Sequence, residues 1–292
     1  MPRISDQIRE SVFYVYPSVA AAERGEGAGG SGFFMSVPST KVPDSGYIYG
    51  ITNAHVVRRC GDSPVVRLNS MDGQAISLVS RAEHWVFHPA QDDLAAAPLS
   101  VPKEVQAKWI PVGACISPDV IAEHDIGPGD DVYMVGRYVD HGGRQRNWPS
   151  VRFGNLSMMN WEPIRLESGL LQEAFLVECR SVGGFSGSPV FVWIPPMAAR
   201  PGVKAIYASG FGPWLLGVDC GHLDATHPVV DLGGKFHPEG WRARASSGMA
   251  VVVPAWKVVE LLNDPVFINR RAQIEAELPE QASSTEPGAG GA

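Results

Sequence analysis

The sequence predicts an all-β fold, and three observations lead to this expectation. The 292 residues include 32 glycines and 24 prolines, which interrupt regular structure. Hydrophobic residues make up 45% of the chain, enough for one large domain or two small ones. They fall in short runs separated by turn residues, as expected for many short strands rather than long helices.

The first series of strand candidates occupies the N-terminal part of the chain. Val12-Phe-Tyr-Val-Tyr16 combines aromatic and β-branched residues, which favour strands. Further candidates follow at close spacing, with turns such as Met71-Asp-Gly73 between them, at residues 47–52, 65–68, 75–79, 85–87 and 94–99. This spacing is typical of a small barrel or sandwich.

A second series of strand candidates follows the region 111–129, at residues 131–135, 151–158, 175–179, 189–193, 214–218 and 249–253. Two barrels would hold both series. Residues 254–262 place apolar side chains at helical spacing behind a proline, which predicts one terminal helix. We therefore expect one barrel at 1–115, a second with the helix at 116–272, and a disordered tail at 273–292.

Composition and charge exclude several classes of partner. The formal net charge is −7, which argues against nucleic-acid binding because that requires Lys and Arg to neutralise phosphates. The N-terminus is charged and no stretch approaches 18 apolar residues, so we expect no membrane partner and a cytoplasmic location. The four cysteines lie far apart without a C-x-x-C pair, and we interpret them as buried thiols rather than disulfides.

The sequence predicts neither a cofactor nor a metal site. Gly25-Glu-Gly-Ala-Gly-Gly30 matches the G-x-G-x-x-G pattern, but a strand-like segment follows it instead of a helix, so we interpret it as a turn. His84 and His88 have a metal spacing for a helix. Residues 85–87 favour a strand, which would hold them about 13 Å apart.

The strongest functional signal is Gly183-Gly-Phe-Ser186-Gly-Ser-Pro-Val190, in which a serine lies among glycines before an apolar run. A serine hydroxyl needs a base to take its proton, and the base needs a carboxylate to hold its tautomer. Thr52-Asn-Ala-His55 supplies a histidine after a strand-like segment. Asp92-Asp93-Leu-Ala supplies an acid before another apolar run.

These segments resemble the trypsin-like, chymotrypsin-fold serine peptidases, which carry T-x-A-H, D-[IL]-A and G-x-S-G motifs in the order His, Asp, Ser. Gly30-Ser-Gly-Phe-Phe34 and Gly248-Met-Ala-Val-Val-Val-Pro254 are similar to segments of the bacterial high-temperature-requirement proteases. The resemblance spans residues 11–265, and only the three triad motifs are specific. It implies two six-stranded antiparallel β-barrels with a C-terminal helix.

By this resemblance Ser186 is the nucleophile, His55 is the general base and then the general acid, and Asp93 orients His55. The backbone N–H groups of Gly184 and Ser186 would form the oxyanion hole. Asp92 is the rival for the acid, but Asp93 directly precedes Leu-Ala, as the family motif requires.

The resemblance leaves the specificity pocket open. Arg180 stands six residues before the serine and would favour an acidic substrate side chain, whereas Asp219 in the segment 216–222 would favour a basic one. They could also neutralise each other or point elsewhere. Phe185 replaces the aspartate that precedes the nucleophile in trypsin, so activation through a new N-terminus is not expected.

The sequence therefore predicts a serine endopeptidase that acts on protein or peptide substrates. Insertions at 137–152, 194–213 and 222–247 are expected to form loops around the cleft. We expect restraint by specificity, by a regulatory protein partner or by ordering of the oxyanion loop at Gly183 and Gly184. Two alternatives stay open: a protease-fold binding or adaptor module with a latent or silent triad, and a hydrolase of small esters or amides.

Overall fold

The computed structural model describes residues 3–27, 29–166, 169–179, 181, 183–198, 200, 211–231 and 233–277. Strands dominate this part of the chain. They form one open sheet in the first half and one closed barrel in the second, with a small two-stranded sheet beside them.

The first half of the chain forms an eight-stranded sheet. Its strands are β1 Val12–Tyr16, β2 Gly30–Pro38, β3 Gly46–Thr52, β4 Val65–Asn69, β5 Ala75–Val79, β6 Val86–Phe87, β7 Ala95–Pro98 and β8 Ile110–Pro111. The order across the sheet is β5-β4-β1-β2-β3-β7-β6, with antiparallel neighbours, and β8 adds to β2 in parallel.

The sheet does not show the expected first six-stranded barrel. The outer strands β5 and β6 are not paired with each other, so hydrogen bonds do not close the sheet within the described residues. The two residues of β6 pair with β7 alone.

The second half forms the closed six-stranded antiparallel barrel that the sequence predicts. The order around it is β10-β13-β16-β15-β14-β9, and β9 pairs with β10 to close it. Its strands are β9 Asp131–Gly136, β10 Ser150–Met158, β13 Phe175–Glu178, β14 Pro189–Ile194, β15 Phe211–Pro228 and β16 Arg242–Pro254, while β11 Ile164–Arg165 and β12 Leu171–Gln172 form the small separate sheet.

The long strands β15 and β16 correct the expectation of a loop at 222–247. They continue beyond the barrel as a hairpin arm whose cross-strand pairs run from Asp224 with Ser246 to Pro228 with Arg242. Most side chains of the arm are exposed on both faces. Its sequence therefore lacks the alternation of apolar and polar residues by which a half-buried strand is recognised.

The described residues include six α-helices, α1 Asp6–Arg9, α2 Val19–Arg24, α3 Ala54–Arg59, α4 Pro118–Glu123, α5 Ala255–Leu262 and α6 Pro265–Glu277. Of these, α2, α3 and α4 connect strands. The predicted terminal helix is α5, which begins directly after Pro254. The sequence did not indicate α6, which runs past residue 273, where the tail was expected to begin. Residues 278–292 of that tail lie outside the described residues. No helix in the described part has the length and hydrophobicity needed to cross a membrane.

The core joins the two halves. Tyr14 and Tyr16 of β1 belong to a hydrophobic cluster that also contains barrel residues such as Phe175, whereas Phe13 and Val15 belong to a second cluster inside the first half. Because side chains alternate along a strand, β1 is buried on both faces. The first half is therefore packed against the barrel through the same strand that forms its own interior.

Candidate active site

His55 lies at the junction between β3 and the short helix α3. The strand ends at Thr52, Asn53 precedes the helix, and His55 occupies the first helical turn. Its side chain is 25% exposed. The imidazole is therefore fixed by the backbone at the end of a buried strand and still reaches the surface.

Asp93 holds His55 through two bonds. Its Oδ2 lies 2.6 Å from His55 Nδ1, and its Oδ1 accepts a hydrogen bond from the His55 backbone N–H at 2.9 Å. The Asn53 side chain donates to the Asp93 carbonyl at 2.8 Å. With Nδ1 occupied by the carboxylate, Nε2 is the ring nitrogen that remains for proton transfer.

The Asp92 side chain contacts other residues than His55. Its Oδ1 accepts a hydrogen bond from Gln172 Nε2 at 2.7 Å, and its Oδ2 lies 3.1 Å from His88 Nδ1 and 3.6 Å from Lys257 Nζ. Gln172 also accepts from the Asp93 backbone N–H at 3.0 Å. Of the two adjacent acids, only Asp93 hydrogen-bonds His55, and Gln172 fixes the turn that holds both acids.

Two basic side chains beside Asp92, those of His88 and Lys257, respond differently to burial. Burial lowers the pKa of His88, even though Asp92 and Glu260 act to raise it. Burial also acts to lower the pKa of Lys257, but the carboxylates of Asp92, Glu260 and Glu173 outweigh it and the pKa is raised. Lys257 therefore carries the positive charge that balances this acidic cluster at neutral pH.

Ser186 lies in a turn whose conformation depends on glycine. Gly184 and Gly187 have φ angles of +95° and +88°, in the region that other residues rarely adopt. A Cβ atom at Gly187 would collide with the carbonyl oxygen of Ser31. The turn therefore packs directly on β2, and Ser186 is left only partly buried.

The histidine and serine segments meet at Gly30. A Cβ atom there would lie 2.7 Å from Val56 Cγ2, next to His55, and 2.8 Å from the Ser186 carbonyl oxygen. No hydrogen bond between described residues joins Ser186 to His55. The backbone N–H groups of Gly184 and Ser186 likewise donate to no acceptor within the described residues.

Asp219 is fully buried in β15, behind the serine turn. Its Oδ2 accepts a hydrogen bond from Ser181 Oγ at 3.0 Å, and its carbonyl accepts from Gly187 N at 2.8 Å. Burial raises the pKa of Asp219 to about 7. Arg180, the other predicted pocket residue, lies outside the described residues. A role for either residue in substrate selection stays a prediction.

The four cysteines offer no competing nucleophile. All are free thiols. Burial raises the pKa of Cys60 to about 11 and those of Cys115 and Cys179 to about 12, and it raises the pKa of Cys220 well above its usual value. Because the thiolate is the nucleophilic form, these side chains are unreactive at neutral pH.

Sequence reasoning missed the supporting residues of the site. Asn53, Gln172 and Lys257 act on the acid turn from segments far apart in the chain. Asn53 lies inside the quoted Thr52-Asn-Ala-His55 motif, whereas nothing in the local sequence distinguishes Gln172 and Lys257 from ordinary surface polar residues. Ser31 lies inside the quoted Gly30-Ser-Gly motif, so its position between two glycines was the one available signal.

Comparisons with known proteins agree with the observed architecture. No protein-family model matches the sequence, and no curated protein matches it. Among solved structures, the apo protease domain of MamO from Magnetospirillum magneticum aligns over 89% of this chain and 100% of its own, with a TM-score of 0.52 and 16% identity. The HtrA-type protease AlgW with a decapeptide aligns over 93% of this chain and 66% of its own, with a TM-score of 0.44 and 15% identity.

The likeness to MamO concerns the fold alone, because the sequence identity is low. Together with the closed barrel, it shows that the chain has a trypsin-like protease fold. The resemblance inferred from the three motifs is thereby confirmed at the level of the fold.

Proposed function

We propose that this protein is a serine endopeptidase that hydrolyses peptide bonds through an acyl-enzyme, with Ser186, His55 and Asp93 as its triad. The observation that carries the proposal is the pairing of His55 Nδ1 with the buried Asp93 carboxylate at 2.6 Å. Orienting a histidine in this way is what a serine nucleophile requires, and the segment with Ser186 packs against the same part of β2.

The proposed reaction begins when Ser186 Oγ attacks the carbonyl carbon of the substrate and its proton passes to His55 Nε2. Asp93 stabilises the resulting imidazolium. The carbonyl oxygen becomes an oxyanion that accepts hydrogen bonds from the N–H groups of Gly184 and Ser186. His55 then gives the proton to the departing amine, and water hydrolyses the ester on Ser186 by the same steps.

Protein or peptide substrates fit this proposal because Ser186 is only partly buried and the His55 side chain is 25% exposed, so both side chains can be reached from solvent. The hairpin arm and the segment 137–152 would give a protein substrate or a regulatory partner additional surface. We propose no cofactor, because the three side chains and two N–H groups supply every proton transfer and charge contact in the reaction.

A binding module with a latent triad is the second candidate. It is favoured by the lack of a direct hydrogen bond between Ser186 and His55 among the described residues. Such bonds are often long in a free enzyme and shorten when substrate binds, so the same observation is also compatible with an active protease. Only a measurement of reactivity separates the two candidates.

Labelling with a fluorophosphonate probe tests the nucleophile. We expect the wild-type protein to be labelled and Ser186→Ala to remain unlabelled, each measured with and without cell lysate. Labelling only with lysate would identify a latent protease that needs a partner. A folded wild-type protein that is unlabelled under both conditions would contradict the endopeptidase proposal.

Substitution of the two neighbouring acids tests which one serves His55. Asp93→Asn is expected to lower kcat by about 10⁴-fold, because the amide no longer holds the catalytic tautomer. Asp92→Asn is the matched control and should lose far less, since Asp92 contacts Gln172, His88 and Lys257 instead. If steady-state hydrolysis of a peptide substrate shows equal losses of kcat in the two variants, the assignment of Asp93 as the acid that serves His55 is refuted.

A further inference from the structure

Every polar group of Ser31 is hydrogen-bonded, and two of the bonds connect the N-terminal sheet to the serine turn. Its backbone N–H donates to the Ser186 carbonyl at 2.8 Å, and its hydroxyl donates to the Gly184 carbonyl at 2.8 Å. The same hydroxyl accepts from the backbone N–H of Arg137 at 2.8 Å, and its carbonyl accepts from Thr52 Oγ1 at 2.7 Å. The residue is fully buried.

These bonds act on the part of the turn that has the least conformational restraint of its own. Gly183 and Gly184 carry no Cβ, so the peptide between Gly184 and Phe185 can rotate at small steric cost. A peptide unit is planar, so a bond that fixes the Gly184 carbonyl fixes the whole unit. No other side chain among the described residues hydrogen-bonds this carbonyl.

Ser31 also ties the serine turn to the histidine segment. Thr52, which donates to the Ser31 carbonyl, ends β3 immediately before Asn53, whose side chain binds the Asp93 carbonyl. The hydroxyl is buried away from water, so no solvent molecule can replace the bonds that it makes. One residue thus sets the relative position of the segments that carry the nucleophile, the base and the acid.

We propose that Ser31 is a positioning residue that holds the oxyanion turn in the conformation needed for catalysis, acting from the opposite half of the molecule. The proposal rests on the endopeptidase function proposed above and deepens it. Ser31 touches no substrate. Its hydroxyl holds the Gly184–Phe185 peptide unit, which lies between the two peptide units that carry the N–H groups of Gly184 and Ser186.

The test compares Ser31→Ala with a matched control at Ser188. Ser188 is also fully buried and lies two residues after Ser186, but its hydroxyl has no hydrogen-bond partner within the described residues. Ser31→Ala is expected to lower kcat for a peptide substrate by about 10- to 100-fold with KM little changed, because transition-state contacts are lost rather than substrate binding. Ser188→Ala should stay within about twofold of wild type.

Hydrogen exchange of the segment 183–187, measured by mass spectrometry, gives a second readout that needs no activity. We expect faster exchange in Ser31→Ala than in wild type or Ser188→Ala, because the turn is released. If exchange and kcat of Ser31→Ala both stay at the wild-type level, the positioning role is wrong. Probe labelling tests the protease function separately, and that function stands if Ser186→Ala loses the labelling seen in wild type. If the wild type proves inactive, the exchange rates alone test the positioning role of Ser31.

A second pair of variants covers the case in which Ser31→Ala does not fold. Ser31→Cys keeps the size of the side chain and weakens its hydrogen bonds. It should show a smaller fall in kcat and a smaller rise in exchange than complete loss of the hydroxyl would produce. Ser188→Cys is its control, and equal effects of the two cysteine substitutions would overturn the proposal.

Discussion

A single carboxyl group beneath the serine turn makes the stability of this protein depend on pH. Asp219 is fully buried, and its Oδ1 has no hydrogen-bond partner within the described residues. Burial raises its pKa from 3.8 to about 7, although the bond from Ser181 acts in the opposite direction. The neighbouring thiols Cys179 and Cys220 stay neutral, because burial raises their pKa values.

We predict that the free energy of unfolding loses a contribution from Asp219 as pH rises. Between about pH 4 and pH 7 the unfolded chain releases the Asp219 proton while the folded protein keeps it, so folding becomes less favourable. The loss is on the order of 3 kcal/mol between pH 5 and pH 8. Urea unfolding of wild type and Asp219→Asn at pH 5 and at pH 8 measures this loss.

The asparagine variant serves as the reference for that measurement, because its side chain cannot ionise. Its stability relative to wild type should therefore increase with pH. If the difference in free energy of unfolding between Asp219→Asn and wild type stays constant from pH 5 to pH 8, Asp219 ionises in the folded protein as it does in water.

The sequence identifies the three candidate triad residues but not the side chains that surround them. His55, Asp93 and Ser186 each lie in a local motif, because a family motif records the residues on both sides of a reactive group. Gln172 reaches the acid turn from 79 residues away in sequence. A contact between distant segments leaves no trace in a local pattern, so only the folded chain shows it.

The helix α6 shows how one element can depend on a single side chain. Phe267 is its buried residue, and its ring meets that of Tyr49 in β3 with a centroid distance of 5.0 Å. Arg271 adds a hydrogen bond to the Tyr49 hydroxyl at 3.1 Å, and Glu275 accepts one from Thr40 Oγ1 at 2.7 Å. The C-terminal helix thus packs on the N-terminal sheet rather than on the barrel from which it emerges.

We predict that Phe267→Ala lowers the free energy of unfolding by about 3 to 5 kcal/mol, through lost burial and the cavity left at Tyr49. Val266→Ala, at a neighbouring position that is 58% exposed, should change it by less than about 0.5 kcal/mol. Urea unfolding followed by fluorescence measures both. Similar values for the two variants would show that α6 does not depend on this contact.

The same helix explains why element prediction succeeded for most strands and failed here. The strands of the core show apolar runs bounded by turn residues, and α5 shows apolar residues at helical spacing. In α6 the buried face consists of Phe267 alone, while Ile268 and Ile274 are exposed. Periodicity detects a stripe of buried apolar residues, and a helix with one buried apolar residue has no such stripe.

At the scale of the whole molecule, the hairpin arm of β15 and β16 stands apart from the shared core. Val230, Phe236 and Trp241 are exposed at its outer end, and the barrel pairs of both strands lie at the other end. The arm is held by strand pairing and by few buried contacts. Its contribution to the stability of the barrel should accordingly be small.

We predict that the barrel tolerates removal of the arm. Replacing residues 225–245 by Asn-Gly joins Asp224 to its cross-strand partner Ser246 through a two-residue turn. The free energy of unfolding should change by no more than about 1 kcal/mol, and probe labelling of Ser186 should persist. Thermal unfolding and labelling of the shortened chain measure this. A large loss of stability would show that the arm packs on the rest of the protein.

The return of α6 to the N-terminal sheet has a consequence for synthesis on the ribosome. The surface around Tyr49 is made early, but the helix that covers it is among the last described segments to be made. Ser31 likewise cannot form its hydrogen bonds to the serine turn until that segment, more than 150 residues later in the chain, has been synthesised. During synthesis the nascent chain therefore exposes this apolar surface, and the segments of Ser31 and Ser186 do not meet until most of the described chain has emerged, which favours binding by chaperones.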